Sequence, residues 1–474
     1  MDPEAFRKEA HRIADWIADY FADPERFPVL SRVQPGDIRT ALPTSAPEQG
    51  ESFDAIFADF ERVILPGITH WNHPGFFAYF SISGSGPGVL AEFLAAALNV
   101  QAMLWRTSPS ATELEDVSLA WLRQLIGLPD SFEGVIYDTA SISTLHALAA
   151  AREEAVAGVR RRGLPGRTDI GQLRVYCSEH AHSSVDKAVI LLGLGHEAVR
   201  RIEADSDYRM RPDALAAAIQ DDRSVGVTPV AVVATVGTTS ATSVDPVGDV
   251  ASICARERIW LHVDAAYAGV AAIVPEYSGL LLDAAPADSV VVNPHKWLFT
   301  PFDLSVLYCR RMDTLRSAFS LTPEYLKTSE TSDVRNLMDT GIQLGRRFRA
   351  LKLWMVLRYF GAEGIRARLA EHIRLARLFA GWVDASERFE RTAPVPFSVV
   401  CFRARGTDEL NAQLLERLNA SGEIFLSHTR LDGRYTLRLA IGNLRTTERH
   451  IARAWQLIQQ LAAELAEPSH LPTS

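Results

Sequence analysis

Residues 289–309 read SVVVNPHKWLFTPFDLSVLYC. Two apolar runs of strand type, Ser289–Val292 and Ser305–Cys309, flank Asn293-Pro294-His295-Lys296-Trp297. A lysine therefore stands where its surroundings indicate an interior. The chain has 49 Lys and Arg, of which only Lys8, Lys187, Lys296, Lys327 and Lys352 are lysines. A sequence that takes arginine for ordinary positive charge has kept a lysine here. Arginine holds its proton in proteins and forms no imine, whereas a buried lysine can lose its proton and become a nucleophile.

Outward from this stretch, short apolar runs alternate with Ala/Leu/Arg-rich helical segments. Strands are expected at Gly134–Tyr137, Arg174–Ser178, Ala231–Val236 and Trp260–Val263, besides the two already quoted. Strands apolar on both faces and separated by helices make an α/β fold, with a mostly parallel central sheet covered by helices on both faces. Helical periodicity also marks residues 2–22 and 51–65, joined by a Pro-rich connector that reads as an extended arm. Leu351–Tyr359 reads as a long helix leaving the sheet domain. Helices over 372–385, 408–419 and 446–466 and strands over 397–403 and 435–440 make a small C-terminal α+β domain. The expected division is 1–85 (helical arm and dimerisation segment), 86–365 (large domain) and 366–474.

Bulk composition narrows the function. The chain has 474 residues, 47% hydrophobic and 23% charged, as in ordinary globular proteins. A net charge of −9 argues against nucleic acid as the main partner. No apolar run reaches the roughly 18 residues of a membrane span, and the N-terminus, MDPEAFRKEAHRIADW, is amphipathic and unlike a secretion signal. Cys177, Cys254, Cys309 and Cys401 are scattered, as expected of buried thiols in a reducing cytoplasm.

The polar residues of the sheet collect at strand ends, where α/β sheets bind ligands. IWLHVDAAYAG ends a strand on Asp264, and a buried carboxylate there is costly without a partner. VYCSEHAHSS ends on His180, His182, Ser183 and Ser184; VVATVGTTSATS ends on Thr238, Thr239 and Ser240. GVIYDTASIS opens a helix through Thr139-Ala140-Ser141, whose first N–H groups suit a phosphate. A phosphate cradle, a buried acid, an imidazole and a buried lysine together match pyridoxal 5'-phosphate, with its phosphate, pyridine nitrogen, stackable ring and aldehyde. Taken singly, each residue has an ordinary reading: Asp264 as a turn cap, Lys296 as an ion-paired strand end. The HAH pair brings no third ligand at metal spacing, so no metal is expected. GSGPG (84–88) lacks dinucleotide-loop spacing and reads as a turn.

In combination, NPHKW, HVDAAYAG, HAHSSVDKA, ATVGTT, THWNHPGFFAYF and SPSATELE resemble the pyridoxal-phosphate-dependent group II decarboxylases, in the aromatic-L-amino-acid decarboxylase branch. The resemblance runs over nearly the whole chain. It implies the fold type I, aspartate aminotransferase-like architecture and a homodimer with shared active sites. It implies that Lys296 carries the cofactor, Asp264 pairs with the pyridine nitrogen, and His182 stacks on the ring and assists proton transfer. Ala140, Ser141 and His295 match phosphate-side positions, with Asn293 beside them, and Thr239 and Ala266 match ring-contacting positions. The implied reaction is decarboxylation to the amine and CO2 through an external aldimine and a quinonoid. Relatives that make aldehydes tend to replace a loop tyrosine in a PxYL context by Phe, or alter the stacking histidine. Here LTPEYLKTSE keeps Tyr325, and His182 is present, so simple decarboxylation is expected.

The same resemblance places Trp71, Tyr79, Phe80, Ile82, Met103, Phe302 and Gly345 at the substrate side chain, where aromatic walls suit an aromatic ring. Phe76 and Phe77 read as core. Two departures bear on substrate choice. FAYFSI puts Ser81 and Ile82 where FAYFPT is common, and Met103 stands where an aromatic is common; methionine leaves the pocket adaptable. Trp, Phe, Tyr and DOPA-like substrates are expected, with an oxygen-dependent aldehyde synthase or a decarboxylase of a non-aromatic amino acid as alternatives. An inactive scaffold protein would have lost Lys296, Asp264 or His182, and all three are present.

Overall fold

Val- and Ala-rich segments with two apolar faces form a seven-stranded sheet, seen in a computed structural model that describes residues 1–321 and 334–466. The sheet belongs to the larger of two units, made by residues 82–377 and 393–401. Its strands are Glu133–Tyr137 (β1), Leu173–Ser178 (β2), Val199–Ile202 (β3), Thr228–Thr235 (β4), Trp260–Asp264 (β5), Ser289–Val292 (β6) and Ser305–Cys309 (β7). They lie in the order β1-β7-β6-β5-β4-β2-β3. The pairs β2–β3, β2–β4, β4–β5 and β5–β6 are parallel, and β7 runs antiparallel to both β6 and β1. The carboxyl ends of all the strands except β7 therefore meet at one edge, where β7 begins.

Three helices of this unit matter for the site: Gly86–Leu98 (α2), Pro109–Leu125 (α3) and Ala140–Ala155 (α4). The N-terminal helix of the chain, Pro3–Ala22, is α1. From Ser143 to Ala151 every α4 residue is buried. Its run of alanines lets it lie close on β4–β7, the small-residue solution to a helix covered on all sides. Strand β3 was not anticipated from the sequence: its VRRI carries two arginines, because it is an edge strand that needs only one buried end residue, Ile202.

The smaller unit comprises residues 1–81, 378–392 and the chain from 402 onward. Asp2 caps α1, accepting from the Ala5 N–H at 2.8 Å, with Pro3 in the first turn. The Pro-rich connector is sewn down rather than loose: the Val29 N–H donates to Gly422 O and its carbonyl accepts from His70 N, both at 2.9 Å. The helical stretch Ala350–Asp384 (α5), broken at Gly361 (φ 61°), carries the chain from the larger unit to the smaller. Besides the short helices Asp37–Ala41 and Phe53–Asp59, further elements are strands Phe389–Arg391 (β8), Val399–Ala404 (β9, whose first three residues count with the larger unit), Ser427–Leu431 (β10) and Arg434–Ala440 (β11), in the order β10-β11-β9-β8, and helices Asp408–Ala420 (α6) and Glu448–Ala466 (α7). Among the described residues no helix is long and apolar enough to cross a membrane.

Candidate active site

The chain leaves β6 through Asn293 into a single helical turn, Pro294–Trp297, which Pro294 is pre-shaped to start. Lys296 N donates to Asn293 O at 2.9 Å and Leu298 N to Pro294 O at 3.0 Å. Trp297 anchors the turn. Its ring stacks on Tyr267 at 4.9 Å, and its Nε1–H donates to His372 Nδ1 at 3.0 Å. The two segments NPHKW and HVDAAYAG are thus locked ring against ring. They are also joined by backbone, Asn293 N donating to Ala266 O at 3.1 Å. Asp264 closes β5, is 7% exposed, and accepts from the Ala266 N–H on Oδ1 at 3.1 Å.

Lys296, Asp264 and His182 share one electrostatic neighbourhood. Burial pulls the Lys296 amine below its ordinary pKa, and the Asp264 carboxylate opposes that shift. Burial likewise lowers the His182 imidazole, with Asp264 raising it and Lys296 lowering it further. His182 Nδ1 accepts from Ser184 N at 3.1 Å, so the neutral ring carries its proton on Nε2. His295 is buried and pushed down to about 3, first by desolvation and then by Lys296. Its Nδ1 accepts from Leu304 N at 2.9 Å, its Nε2 lies 3.3 Å from Asn293 Nδ2, and its ring is 4.8 Å from that of Phe302.

At the end of β1 no side chain caps α4. Thr139, at the cap position, turns to Asp138 instead, giving its N–H (2.5 Å) and its hydroxyl (3.0 Å) to Oδ1. Ala140 and Ser141, both partly buried, form the first turn. The helix is tied to the start of β7 by Ser143 Oγ and Ser305 Oγ at 2.8 Å. At the end of β4, Gly237 has φ 89°, and a Cβ there would stand 2.7 Å from Ala268 Cβ, so only glycine fits. Thr238 is fully buried and accepts from Ser243 N at 3.0 Å, whereas Thr239 is exposed.

Of the residues expected on the substrate side, Trp71, Tyr79 and Phe80 lie in the smaller unit and Ile82, Met103, Phe302 and Gly345 in the larger. In the smaller unit, Trp71 stacks on Phe76 (4.3 Å) and Tyr79 (5.9 Å); Tyr79 is exposed with φ 51°, and Phe80 is buried under the Arg438 guanidinium. Phe76 and Phe77 are fully buried. In the larger unit, Ile82 is partly buried, Met103 packs on Leu104 and Met338, Phe302 is exposed beside His295, and Gly345 is exposed with the Gln101 amide nearby. Tyr325 lies outside the described residues. Among the described residues no group of His, Cys, Asp or Glu could hold a metal ion.

Sequence reasoning missed three supports of the site: Asp138, the Tyr267–Trp297 stack, and Asp245. The last is buried, accepts from Thr235 N and Met210 N at 2.7 Å each, and fixes the turn after β4. Its signal was an acid before proline in a run of small residues, TSVDPVG.

A sequence model described as "Pyridoxal-dependent decarboxylase conserved domain" matches residues 35–405. Tryptophan decarboxylase 2 of Oryza sativa subsp. japonica is 41% identical to the chain, over 98% of it and 96% of the relative. Phenylacetaldehyde synthase of Arabidopsis thaliana is 42% identical, over 98% and 97%. A crystal structure of Oryza sativa TDC with PLP and tryptamine superposes with a TM-score of 0.94 at 38% identity, covering 98% of this chain and 99% of that one.

Proposed function

The chain belongs to the pyridoxal-dependent decarboxylase family, and from that membership we propose that it removes the carboxylate of aromatic L-amino acids to give the amine and CO2, with pyridoxal 5'-phosphate as cofactor. The residues fit that cofactor. Lys296, with its proton affinity lowered, lies within the field of Asp264 and His182, and no side chain caps the first turn of α4, which leaves its N–H groups open to a phosphate. The coupling of Lys296 to Asp264 at adjacent strand ends is the observation that carries the reading.

When bound, pyridoxal phosphate supplies an aldehyde that condenses with amines and a ring that withdraws electrons from the carbon losing CO2. Lys296 supplies the amine that holds it, and burial, by lowering its proton affinity, favours the neutral, nucleophilic form. Asp264 presents a negative charge to the ring nitrogen, which favours its protonated form. His182, neutral with its proton on Nε2, lays a flat ring beside the site and has a proton to give. Ala140 and Ser141 offer the open first turn of α4 to the phosphate. Tyr325 donates a proton to the substrate's α-carbon. Phe302, exposed beside His295 in the larger unit, favours an aromatic side chain.

The similarity to phenylacetaldehyde synthase supports a second reading, in which oxygen is consumed and an aldehyde, peroxide and ammonia appear. Incubating the holoenzyme with L-Trp, L-Tyr, L-Phe and L-DOPA, with amine, aldehyde and peroxide quantified, separates the two. Amine alone is expected; aldehyde with peroxide establishes the second reading; no turnover of any aromatic substrate overturns both. Tyr325→Phe is expected to shift product from amine toward aldehyde.

We also propose a cytoplasmic homodimer. Helix α2 supports the dimer, since it exposes Leu90, Phe93, Leu94 and Leu98 along one stripe, each by about half or more. The four cysteines, all buried thiols, support a reducing compartment.

A further inference from the structure

The smaller unit holds a cavity of about 330 Å³ whose wall is crowded with guanidinium groups. Arg26 and Arg32 come from the connector after α1, and Arg449 and Arg453 from the first turns of α7. Two carboxylates answer the second pair. Glu25 accepts from Arg449 at 2.6 Å and lies 3.3 Å from His450 Nε2, while Glu423 takes Arg453 in a two-point contact at 2.8 and 2.9 Å. Arg26 and Arg32 have no carboxylate partner among the described residues. Arg32 Nη2 donates to the Ser421 carbonyl at 3.0 Å, and the Arg26 guanidinium lies 4.9 Å from the Phe27 ring centroid.

The wall therefore carries two positive charges more than it neutralises. Gly422, with φ 77°, turns the backbone beside one of them and leaves the Arg32 guanidinium room to lie against it. His73, also in the wall and 4% exposed, is pushed down to about 4, chiefly by burial, and accepts from Gly75 N on Nδ1 at 2.9 Å. Its ring is neutral with the proton on Nε2, a further donor. The volume falls in the range of small-molecule sites, about 300–1,000 Å³, and planar guanidinium forks match the oxygens of phosphate and carboxylate groups.

We propose that this cavity is a second ligand site, built from residues other than the cofactor cluster, for a small oxyanion with two negative charges, of the phosphate type. The test is calorimetric titration of inorganic phosphate into the holoenzyme, with the cofactor's own phosphate position filled and ionic strength fixed with chloride. One binding event per chain is expected. Arg26→Ala and Arg32→Ala should each weaken it by about tenfold or more, the loss expected for a charge-assisted bond, while amine production in chloride stays unchanged. No heat of binding, or binding that survives both substitutions, overturns the proposal. Should Arg32→Ala fail to retain cofactor and fold, the exposed Arg26 carries the test alone. Because the readout is phosphate binding and not turnover, failure of the decarboxylase reading would leave it interpretable.

Discussion

Lys296 and Asp264 are set against each other by burial. The interior disfavours the ammonium ion, and the carboxylate opposes that shift without abolishing it. Lys296→Ala should abolish the visible absorbance of the lysine-linked cofactor and cut amine production by about a thousandfold or more, a loss at least as large as that from removing a general acid or base; activity near the parent's would remove Lys296 from its role. Asp264→Asn should still bind cofactor, because the lysine remains, yet lose turnover number with little change in KM. An unchanged turnover number would sink that assignment. Both residues were visible in the sequence because their types are costly in apolar surroundings. Asp245 and Asp138 were not, since what they hold is backbone N–H, which leaves no mark on the partner's identity.

Elements were legible where their apolar period was unbroken. Strands β4 to β7 and helices α1, α6 and α7 came out within a few residues, whereas β3, β8 and β10, with VRRI, FER and SHTRL, carry the polar side chains that an edge or a half-exposed strand tolerates. Also hidden was what joins the elements. Arg346 Nη2 donates to Glu115 on α3 and to the Ile136 carbonyl on β1, both at 2.8 Å, and Glu115 accepts the Ile136 N–H at 2.9 Å. The side chains of both ions are almost fully buried. Arg346→Met leaves a buried carboxylate without its counter-ion and should cost about 3–5 kcal/mol, read as a drop in unfolding midpoint. Adding Glu115→Leu should recover part of the loss and not all, because the Ile136 N–H then loses its acceptor. A double variant no more stable than the single one would mean that the pair is not what holds α3 to β1.

Across the whole molecule, acid sensitivity is written into buried imidazoles. His146, His262 and His295 are 0%, 0% and 3% exposed and pushed down to about 3, 4 and 3. Each stays neutral in the fold but takes up a proton once unfolded below its ordinary value of 6.5. Their contribution is complete above pH 6.5 and is lost as pH falls toward 4, by up to about 1.4 kcal/mol per pH unit for each histidine. Denaturant titrations from pH 7 to pH 4.5 should show this slope, and replacing His262 by Gln should reduce it; a flat profile would refute it. A different consequence follows from the strand order, in which β1 pairs with β7 and with no other strand among the described residues. During synthesis β1 emerges early, while the one strand that can pair with it is made some 170 residues later. For most of that time β1 and the buried face of α4 wait without their partner, exposed to other chains and in need of chaperones. A ribosome that stops anywhere before Cys309 releases a polypeptide that cannot close its sheet, so nonsense truncations should yield aggregate and no partial enzyme.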